Sequence, residues 1–307
     1  MARPRLNIDH LAALAALDEG GGVSQAARLL HISQPAFSYR VQELERRCGV
    51  ALFGREGRSL RWTPAGLRLL ESARRILKEL ETAESDCRML GAGVREIVRV
   101  GSRASGNFRW LPRVLGAFGQ SHADVTVELV PSLVGAPLQA LLEGAVDVDI
   151  VAGKVTHPEL VARALFSDEL VALVSANHPL AGKAFVTAQD LAPETYVTYS
   201  STPEPGLEHD LLFQPAGLSP ARFVQVGLTE AVVEMVRANY GVSVLSRWAI
   251  AGASVQPGLR ALRVTRAGLA IRWFAVVRKS SPASGAAVAL MKELLHAFKA
   301  GGLAGVR

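Results

Sequence analysis

The segment Ser24–Glu45, SQAARLLHISQPAFSYRVQELE, constrains the fold of this chain more than any other stretch. It is typical of two short helices with a tight break at His31-Ile32. Ser24 and Ser33 can each cap a helix by accepting a backbone N–H, and Pro35 is tolerated in the first turn of a helix. Apolar residues recur at helical spacing and predict one buried face shared by both helices: Ala26, Ala27, Leu30, Phe37, Val41 and Leu44.

The outward face of the second helix predicts a surface that reads DNA. Its side chains can form hydrogen bonds: Gln34, Ser38, Tyr39, Arg40 and Gln42. Such side chains reach base edges and phosphates when a helix lies in the major groove. We expect Ser24, Ser33 and Pro35, at the helix starts, to belong to the same surface. Short helix pairs are common in soluble proteins, so the flanking sequence has to support this interpretation.

Positive charge is densest at the N-terminus. The chain of 307 residues carries a formal net charge of +6, and residues 1–62 contain nine Arg, no Lys and six acidic residues. Arg is the cation suited to bidentate contacts with guanine and phosphate. A generally basic surface would explain the total charge but not its concentration in this segment.

Residues 49–66, GVALFGREGRSLRWTPAG, are typical of a β-hairpin. We predict a strand at Leu52-Phe53, a turn at Gly54–Gly57 and a return strand at Leu60–Trp62. The hairpin would display arginines beside the helix pair: Arg55, Arg58 and Arg61. Such a wing would contact backbone phosphates or enter the minor groove. A solvated hairpin without a ligand is the alternative.

A long helix capped by Thr63 is predicted to begin at Pro64 and to end near Gly91-Ala92-Gly93. Its apolar residues follow a heptad pattern, which predicts a helix–helix dimer contact: Leu69, Ala73, Ile76, Leu80, Ala83, Cys87 and Leu90. The alternative is a helix packed on its own domain.

Cys48 and Cys87 are the only cysteines, which fits a reducing compartment. We interpret Cys87 as a packing residue, and a redox pair is the alternative.

From Glu96 onward, strands alternate with helices. The first α/β segment has a βαβαβ order, which predicts a parallel sheet with ligand sites at the carboxyl ends of its strands. Its predicted strands are 96–102, 125–131 and 146–153, and its predicted helices are Gly106–Phe118 and Pro137–Glu143. A second α/β segment is predicted with four strands and one helix: Glu169–Val174, Tyr196–Tyr199, Phe223–Val226 and Val242–Leu245, with helix Thr229–Ala238. The strand Arg272–Val277 and the helix Gly285–Ala300 are then predicted to return to the first α/β segment.

Residues 24–66 resemble the winged helix-turn-helix of LysR-type transcriptional regulators. The resemblance follows the order of the chain: Ser24, Ala26-Ala27, Leu30, Ser33–Ala36, Ser38, Leu44-Glu45, Gly49, Leu52-Phe53, Arg55 and Thr63–Gly66. In one departure, Tyr39 follows Ser38 where the family usually has Arg. Asp147–Ile150 and Asn177–Ala181 match landmarks of the family's effector domain.

The resemblance implies an α/β protein with an all-α-plus-wing N-terminal domain. A winged helix-turn-helix would occupy residues 1–62 and a linker helix that pairs two subunits residues 63–92. A two-lobed effector domain resembling periplasmic binding proteins would occupy residues 93–307. Its first lobe would comprise about 93–162 and 267–300, and its second lobe about 163–266.

Loops rich in hydroxyl groups predict an effector site between these lobes. The candidate residues follow strands or begin helices: Ser102, Arg103, Ser105, Ser132, Ser200, Ser201, Thr202 and Thr229. Hydroxyls, Arg and free N–H groups suit a small acid or amino acid, although any one of these residues can be an ordinary cap. Asp190–Thr195 and Phe213–Pro220 resemble the LysR-type branch that activates methionine biosynthesis genes, which implies homocysteine as coinducer. A different small organic acid or amino acid is the alternative.

The alternatives from other classes of protein are an α/β enzyme and a solute-binding protein. The sequence has no Gly-rich phosphate loop, nucleophile elbow or metal-ligand pair, so we predict no catalytic residue, no metal and no cofactor. A solute-binding protein would need a signal peptide, which MARPRLNID does not resemble. We therefore expect a cytoplasmic regulator without a membrane span. The family resemblance implies operator DNA, a homodimer or homotetramer and contact with RNA polymerase.

Overall fold

The computed structural model describes residues 4–56, 59–102, 110–131, 137–200, 203, 206–250, 257–279 and 284–299. Within these ranges, the side chains of residues 55, 56, 59, 60, 102, 131, 137 and 284 are not described. The chain divides into two compact units, Met1–Gly93 and Val94–Arg307. Among the helices described, none has the length and apolar character that a membrane crossing requires.

The first unit contains four helices and one hairpin in its described part: α1 (Ile8–Gly20), α2 (Val23–Leu29), α3 (Gln34–Cys48), β1 (Phe53–Glu56), β2 (Ser59–Trp62) and α4 (Pro64–Gly91). α1 begins with a reciprocal cap. The Asn7 side chain accepts from the N–H of His10, and His10 Nδ1 accepts from the N–H of Asn7, each at 3.1 Å. This cap satisfies two donors at the helix start.

The predicted helix pair is confirmed, including its break. His31 has a φ of 54°, a left-handed conformation that ends the first helix and turns the chain. Ser33 caps α3 by accepting from the N–H of Ala36 at 3.3 Å. The predicted cap at Ser24 is wrong, because α2 starts at Val23 and the extended Gly22 occupies the cap position. Ser24 instead donates to Gln34 Oε1 at 3.2 Å and joins the starts of the two helices.

The core of the first unit holds α3 from two sides. Phe37 is fully buried among small residues of α1 and α2, and Leu44 is fully buried against α1 and α4. Burying a side chain of this size stabilises the fold by roughly 1.5–3 kcal/mol. The opposite face of α3 is consequently held outward on a packed scaffold.

The hairpin forms as an antiparallel ladder, but its first strand lies further along the chain than predicted. Phe53 pairs with Trp62 and Glu56 with Ser59. Leu52 lies outside the ladder, and its N–H donates to the Glu45 carboxylate at 2.8 Å. The strand includes Arg55 and Glu56, where a turn was predicted.

Thr63 caps α4 as predicted, accepting from the N–H of Gly66 at 3.1 Å. A Cβ at Gly66 would overlap the carbonyl oxygen of Leu52, which explains the glycine. The start of the heptad pattern is not available to a partner helix as predicted. Ala73 is fully buried in the core of its own unit, and Leu69 packs against the same cluster.

The second unit contains ten strands and five helices in its described part: β3 (Glu96–Ser102), α5 (Leu111–Ser121), β4 (Val125–Pro131), α6 (Pro137–Leu142), β5 (Val148–Ala152), β6 (Leu160–Ser175), β7 (Phe185–Val186), α7 (Ala188–Leu191), β8 (Thr195–Thr198), β9 (Arg222–Gln225), α8 (Thr229–Arg237), β10 (Ser243–Ser246), β11 (Leu259–Val264), β12 (Leu269–Arg278) and α9 (Ser284–Lys299). Shorter helical turns lie at Pro179–Gly182, His209–Phe213 and Gln214–Ala216.

The predicted parallel sheet of the βαβαβ segment is confirmed for β3, β4 and β5, and the same sheet continues with antiparallel strands. The main sheet has the order β4-β3-β5-β12-β6-β11-β7, and β10 also pairs with β6. β3 runs parallel to β4 and β5, whereas β12 is antiparallel to β5 and β6. A smaller parallel sheet contains β8 and β9. The predicted lobes therefore share one mixed sheet.

Several elements differ from the sequence prediction, including the short β7 and α7, which were not predicted. β6 has 16 residues, but only its apolar second half, near Glu169–Val174, was predicted. Its first half includes the polar Arg163, Ser167 and Asp168, which conceal a strand that pairs with β12. β11 was missed because arginines interrupt its apolar residues. The predicted helix Gly106–Phe118 is α5 in the described chain, and it continues to Ser121.

Candidate DNA-binding surface and effector unit

The outward face of α3 is polar and exposed. Seven of its residues are exposed: Gln34, Pro35, Ala36, Tyr39, Gln42, Arg46 and Arg47. At 100° per residue, Pro35, Tyr39, Gln42 and Arg46 lie opposite Phe37 and Leu44. Tyr39 stands out because 69% of its surface is exposed, a large fraction for an aromatic residue. Ser38 lies at the edge of this face and is half-buried. A helix with this face can enter a groove without disturbing its core.

Arg40 does not lie on the outward face. Its guanidinium Nη1 is 3.6 Å from Asp9 Oδ1 on α1, and 29% of its side chain is exposed. Arg40 flanks the face of α3 beside α1. Sequence reasoning grouped it with Tyr39, although adjacent helical residues point about 100° apart.

Glu43 forms ion pairs with two further arginines that were not predicted to belong to the site. Its carboxylate accepts two hydrogen bonds from Arg46, each 2.7 Å, and one from Arg47 at 2.6 Å. The bonds from Arg46 and then Arg47 lower the pKa of Glu43 to about 2. Arg47 also donates to the carbonyl oxygen of Arg5 at 2.9 Å. The i, i+3 and i, i+4 spacing of ELERR is the signal that could have identified this cluster.

Only part of the predicted wing surface lies within the described structure. The backbone of Arg55 pairs with Leu60 in the hairpin, and Arg61 is exposed on β2. The side chain of Arg55 and all of Arg58 lie outside the described residues. Phe53 and Trp62 form a tilted ring contact at the base of the hairpin, with ring centroids 4.6 Å apart, and both pack against the core of the first unit.

Most predicted effector residues also lie outside the description: the side chain of Ser102, and Arg103, Ser105, Ser132, Ser201 and Thr202. The backbone register nevertheless pairs Ser102 with Pro131, so β3 and β4 end at the same edge of the sheet. Ser200 closes a tight turn after β8, with its N–H donating to Thr198 Oγ1 at 3.2 Å. Thr229 is buried and is the first residue of α8.

A buried cluster in the second unit escaped the sequence analysis. Asp168 on β6 accepts from the Nε1 of Trp273 and from the backbone N–H of Trp248, each at 3.3 Å, and from the hydroxyl of Ser246. Trp110 packs against Trp248 with ring centroids 5.6 Å apart. These residues are far apart in the chain, so no local pattern indicates that they meet.

Comparisons with known proteins agree for both units. Residues 8–67 match the bacterial regulatory helix-turn-helix proteins of the lysR family, and residues 91–299 match the LysR substrate binding domain. The transcriptional regulator MetR of Haemophilus influenzae is 31% identical over 277 residues, which cover 89% of this chain and 88% of that protein. MetR of Escherichia coli K12 is 30% identical over 276 residues, covering 89% and 84%.

Solved structures show the same fold. The LysR family regulator CbnR superposes with a TM-score of 0.69 at 24% identity, over 94% of this chain and 99% of that chain. The regulatory domain of MetR from Neisseria meningitidis superposes with a TM-score of 0.60 at 23% identity, over 67% of this chain and 95% of that chain.

The fold and the exposed face of α3 define the class: a winged helix-turn-helix protein with an α/β effector-binding unit. This agrees with the predicted fold class. The chain belongs to the LysR family of transcriptional regulators. The family resemblance inferred from residues 24–66 is thereby confirmed.

Proposed function

We propose that this regulator binds operator DNA through α3 and the wing. The observation that carries the proposal is the outward polar face of α3, supported by the fully buried Phe37 and Leu44. The arginines of β1 and β2 add contacts to phosphates or to the minor groove. In support, the LysR regulator CbnR has been solved in complex with its target DNA, with a TM-score of 0.67 to this chain.

DNA binding can be tested on the full chain with Arg40→Ala and Arg55→Ala. Arg55→Ala removes a cation that can contact a phosphate, so we expect weaker binding at every salt concentration and a salt slope lower by about 1. Arg40→Ala removes the partner of Asp9 on α1, so we expect weaker binding through loss of support for α3, without that change in slope. The probe is a duplex selected by the wild-type protein from a randomised library, measured by gel shift. Arg260→Ala, in the second unit, is the control and should bind normally. Unchanged affinity in both test variants would place the DNA elsewhere.

Subunit pairing through α4 belongs to the same proposal. Ile76, Leu80 and Leu90 expose 40%, 37% and 47% of their surfaces, respectively, beyond the part of α4 that packs on its own unit. A dimer or tetramer built on this surface would present two α3 helices to a pseudo-palindromic operator. Contact between the bound oligomer and RNA polymerase would then link binding to transcription.

We further propose that a small molecule with a carboxylate and an amine regulates this chain, with homocysteine as the first candidate. Support comes from the identity to MetR proteins and from Asp190–Thr195 and Phe213–Pro220 in the second unit. The ligand would occupy loops at the carboxyl end of β3 and near β8 and α8. It would act by binding one arrangement of the subunits better than another.

Isothermal titration calorimetry of the full chain with homocysteine tests this assignment. Methionine, which like homocysteine is a neutral zwitterion, and glutamate, which carries one additional negative charge, serve as controls. Heat of binding with homocysteine alone supports the proposal. Heat with another amino or organic acid would identify a different coinducer, and no heat at millimolar homocysteine contradicts its assignment.

A further inference from the structure

The placement of α3 singles out one side chain for reading bases. We infer that Tyr39 recognises a thymine through the C5-methyl group in the major groove, while Arg40 stays beside Asp9 and supports α3. The inference rests on the proposed binding of DNA by α3. It names the base class and the specificity-determining residue.

The Tyr39 side chain points away from the core of the first unit. Phe37 and Leu44 are both fully buried and mark the inward side of α3. Tyr39 follows Phe37 by two residues, or about 200° around the helix, so it lies opposite the core. A helical side chain also leans toward the helix N-terminus. Tyr39 therefore points toward the end of a recognition helix that usually contacts bases.

The arginines that neighbour Tyr39 on α3 are already paired with carboxylates of the protein. Arg40 pairs with Asp9, and Glu43 binds both Arg46 and Arg47. Within the described part of the chain, the Tyr39 hydroxyl makes no hydrogen bond to the protein. Tyr39 is thus the largest side chain on this face whose surface is unused in the protein.

The aromatic ring of Tyr39 favours contact with the methyl group of thymine. An exposed aromatic ring gains most from contact with an apolar group, and thymine is the only base with an apolar group at the floor of the major groove. Burying one methyl group is worth about 0.8 kcal/mol, or about a fourfold change in affinity. A hydroxyl–phosphate contact is the competing use of Tyr39, and it would carry no base preference.

The experiment removes the methyl group from the DNA and the ring from the protein. The full-length wild-type protein selects a site from duplexes with about 20 randomised base pairs, the span of two half-sites one helical turn apart. Each thymine of the selected site is then replaced in turn by deoxyuridine, which lacks only the methyl group. Dissociation constants are measured for the wild type, Tyr39→Phe and Tyr39→Ala, with Tyr240→Ala as a matched exposed tyrosine in the second unit.

We expect one thymine in each half-site at which deoxyuridine weakens the wild type about fourfold. Tyr39→Phe and Tyr240→Ala should retain that sensitivity, and Tyr39→Ala should lose it. If Tyr39→Ala keeps the sensitivity, the inference is wrong. Equal losses for Tyr39→Phe and Tyr39→Ala on every sequence would instead assign the hydroxyl to a phosphate and also overturn it. If the wild type selects no sequence, the proposed function itself fails.

Discussion

Individual carboxylates decide which arginines near α3 can meet DNA. Asp9 holds Arg40, and Glu43 holds Arg46 and Arg47. Each of these ion pairs has to loosen before its cation can contact a phosphate. The density of Arg in residues 1–62 therefore overstates the charge that is ready for DNA. The salt dependence of binding should be smaller than a count of these arginines implies.

Replacing the carboxylate at Glu43 should release this charge. In Glu43→Gln, Arg46 and Arg47 lose their anionic partner, so we expect tighter binding to duplexes of unrelated sequence and a salt slope steeper by about 1–2. Fluorescence anisotropy at several salt concentrations measures both quantities. Glu81→Gln makes the same charge change beside Lys78 on α4. An equal gain in that control would attribute the effect to net charge alone.

His10 makes the first unit sensitive to mild acid. Burial, and then the charge of Arg47, lower the pKa of His10 below its usual 6.5, and its Nδ1 already accepts from Asn7. Below pH 6.5 the unfolded chain takes up a proton at His10 more readily than the folded chain does. The free energy of unfolding should therefore fall as the pH decreases from 6.5 toward the lower pKa of His10 in the folded chain. Above pH 6.5, His10 should not contribute to any change in the free energy of unfolding.

The contribution of His10 can be isolated with His10→Gln, which retains a side-chain acceptor at the third helical position. Urea unfolding at pH 7.5 and 5.5 should show a smaller pH dependence for the variant than for the wild type. The same loss of stability in both proteins would assign the effect to other groups.

At the scale of elements, α4 serves two purposes along its length. Its first turns, with Leu70 and Ala73, complete the core of the first unit. From Ile76 onward, the residues of the heptad pattern are exposed, although Leu77 between them still packs against that core. One heptad pattern thus covers both an internal contact and a surface that we propose for subunit pairing.

A charge placed on the exposed part of this pattern should separate the subunits. Ile76→Glu or Leu80→Glu would bury a carboxylate in the proposed contact, so we expect a lower sedimentation coefficient and weaker operator binding. Leu67→Glu is a matched control, because Leu67 is 54% exposed on α4 but off the heptad pattern. Intact oligomers in both test variants would show that the subunits pair through another surface.

At the scale of the whole molecule, distant parts of the second unit depend on one carboxylate. Asp168 links β6 to the end of β10 and to Trp273 on β12. In Asp168→Ala, four donors lose their acceptor, and those of Trp248, Trp273 and Ser246 belong to buried residues. We expect a loss of about 3 kcal/mol in the free energy of unfolding, measured by urea with tryptophan fluorescence. Asp168→Asn keeps an acceptor and should lose less, and equal stability of wild type and Asp168→Ala would contradict this role.

Local order was predictable from the sequence because it depends on neighbours within about four residues. The caps at Ser33 and Thr63, the break at His31, and the start and end of α4 all follow from such short-range chemistry. The family resemblance of residues 24–66 has the same basis, since its residues lie in one ordered segment. The polar face of α3 was predictable for the same reason, apart from the placement of Arg40 beside Asp9.

Tertiary structure alone decided which residues meet across long separations. It placed Ala73 inside the first unit, turned Arg40 toward Asp9, and paired β6 with β12 about 100 residues later in the chain. It also brought Asp168 to Trp248 and Trp273. These contacts depend on strand register and on packing between helices, which no local pattern encodes. The sequence by itself determined the helices, the caps and the family, whereas the packed fold determined that Tyr39, rather than Arg40, faces outward from α3.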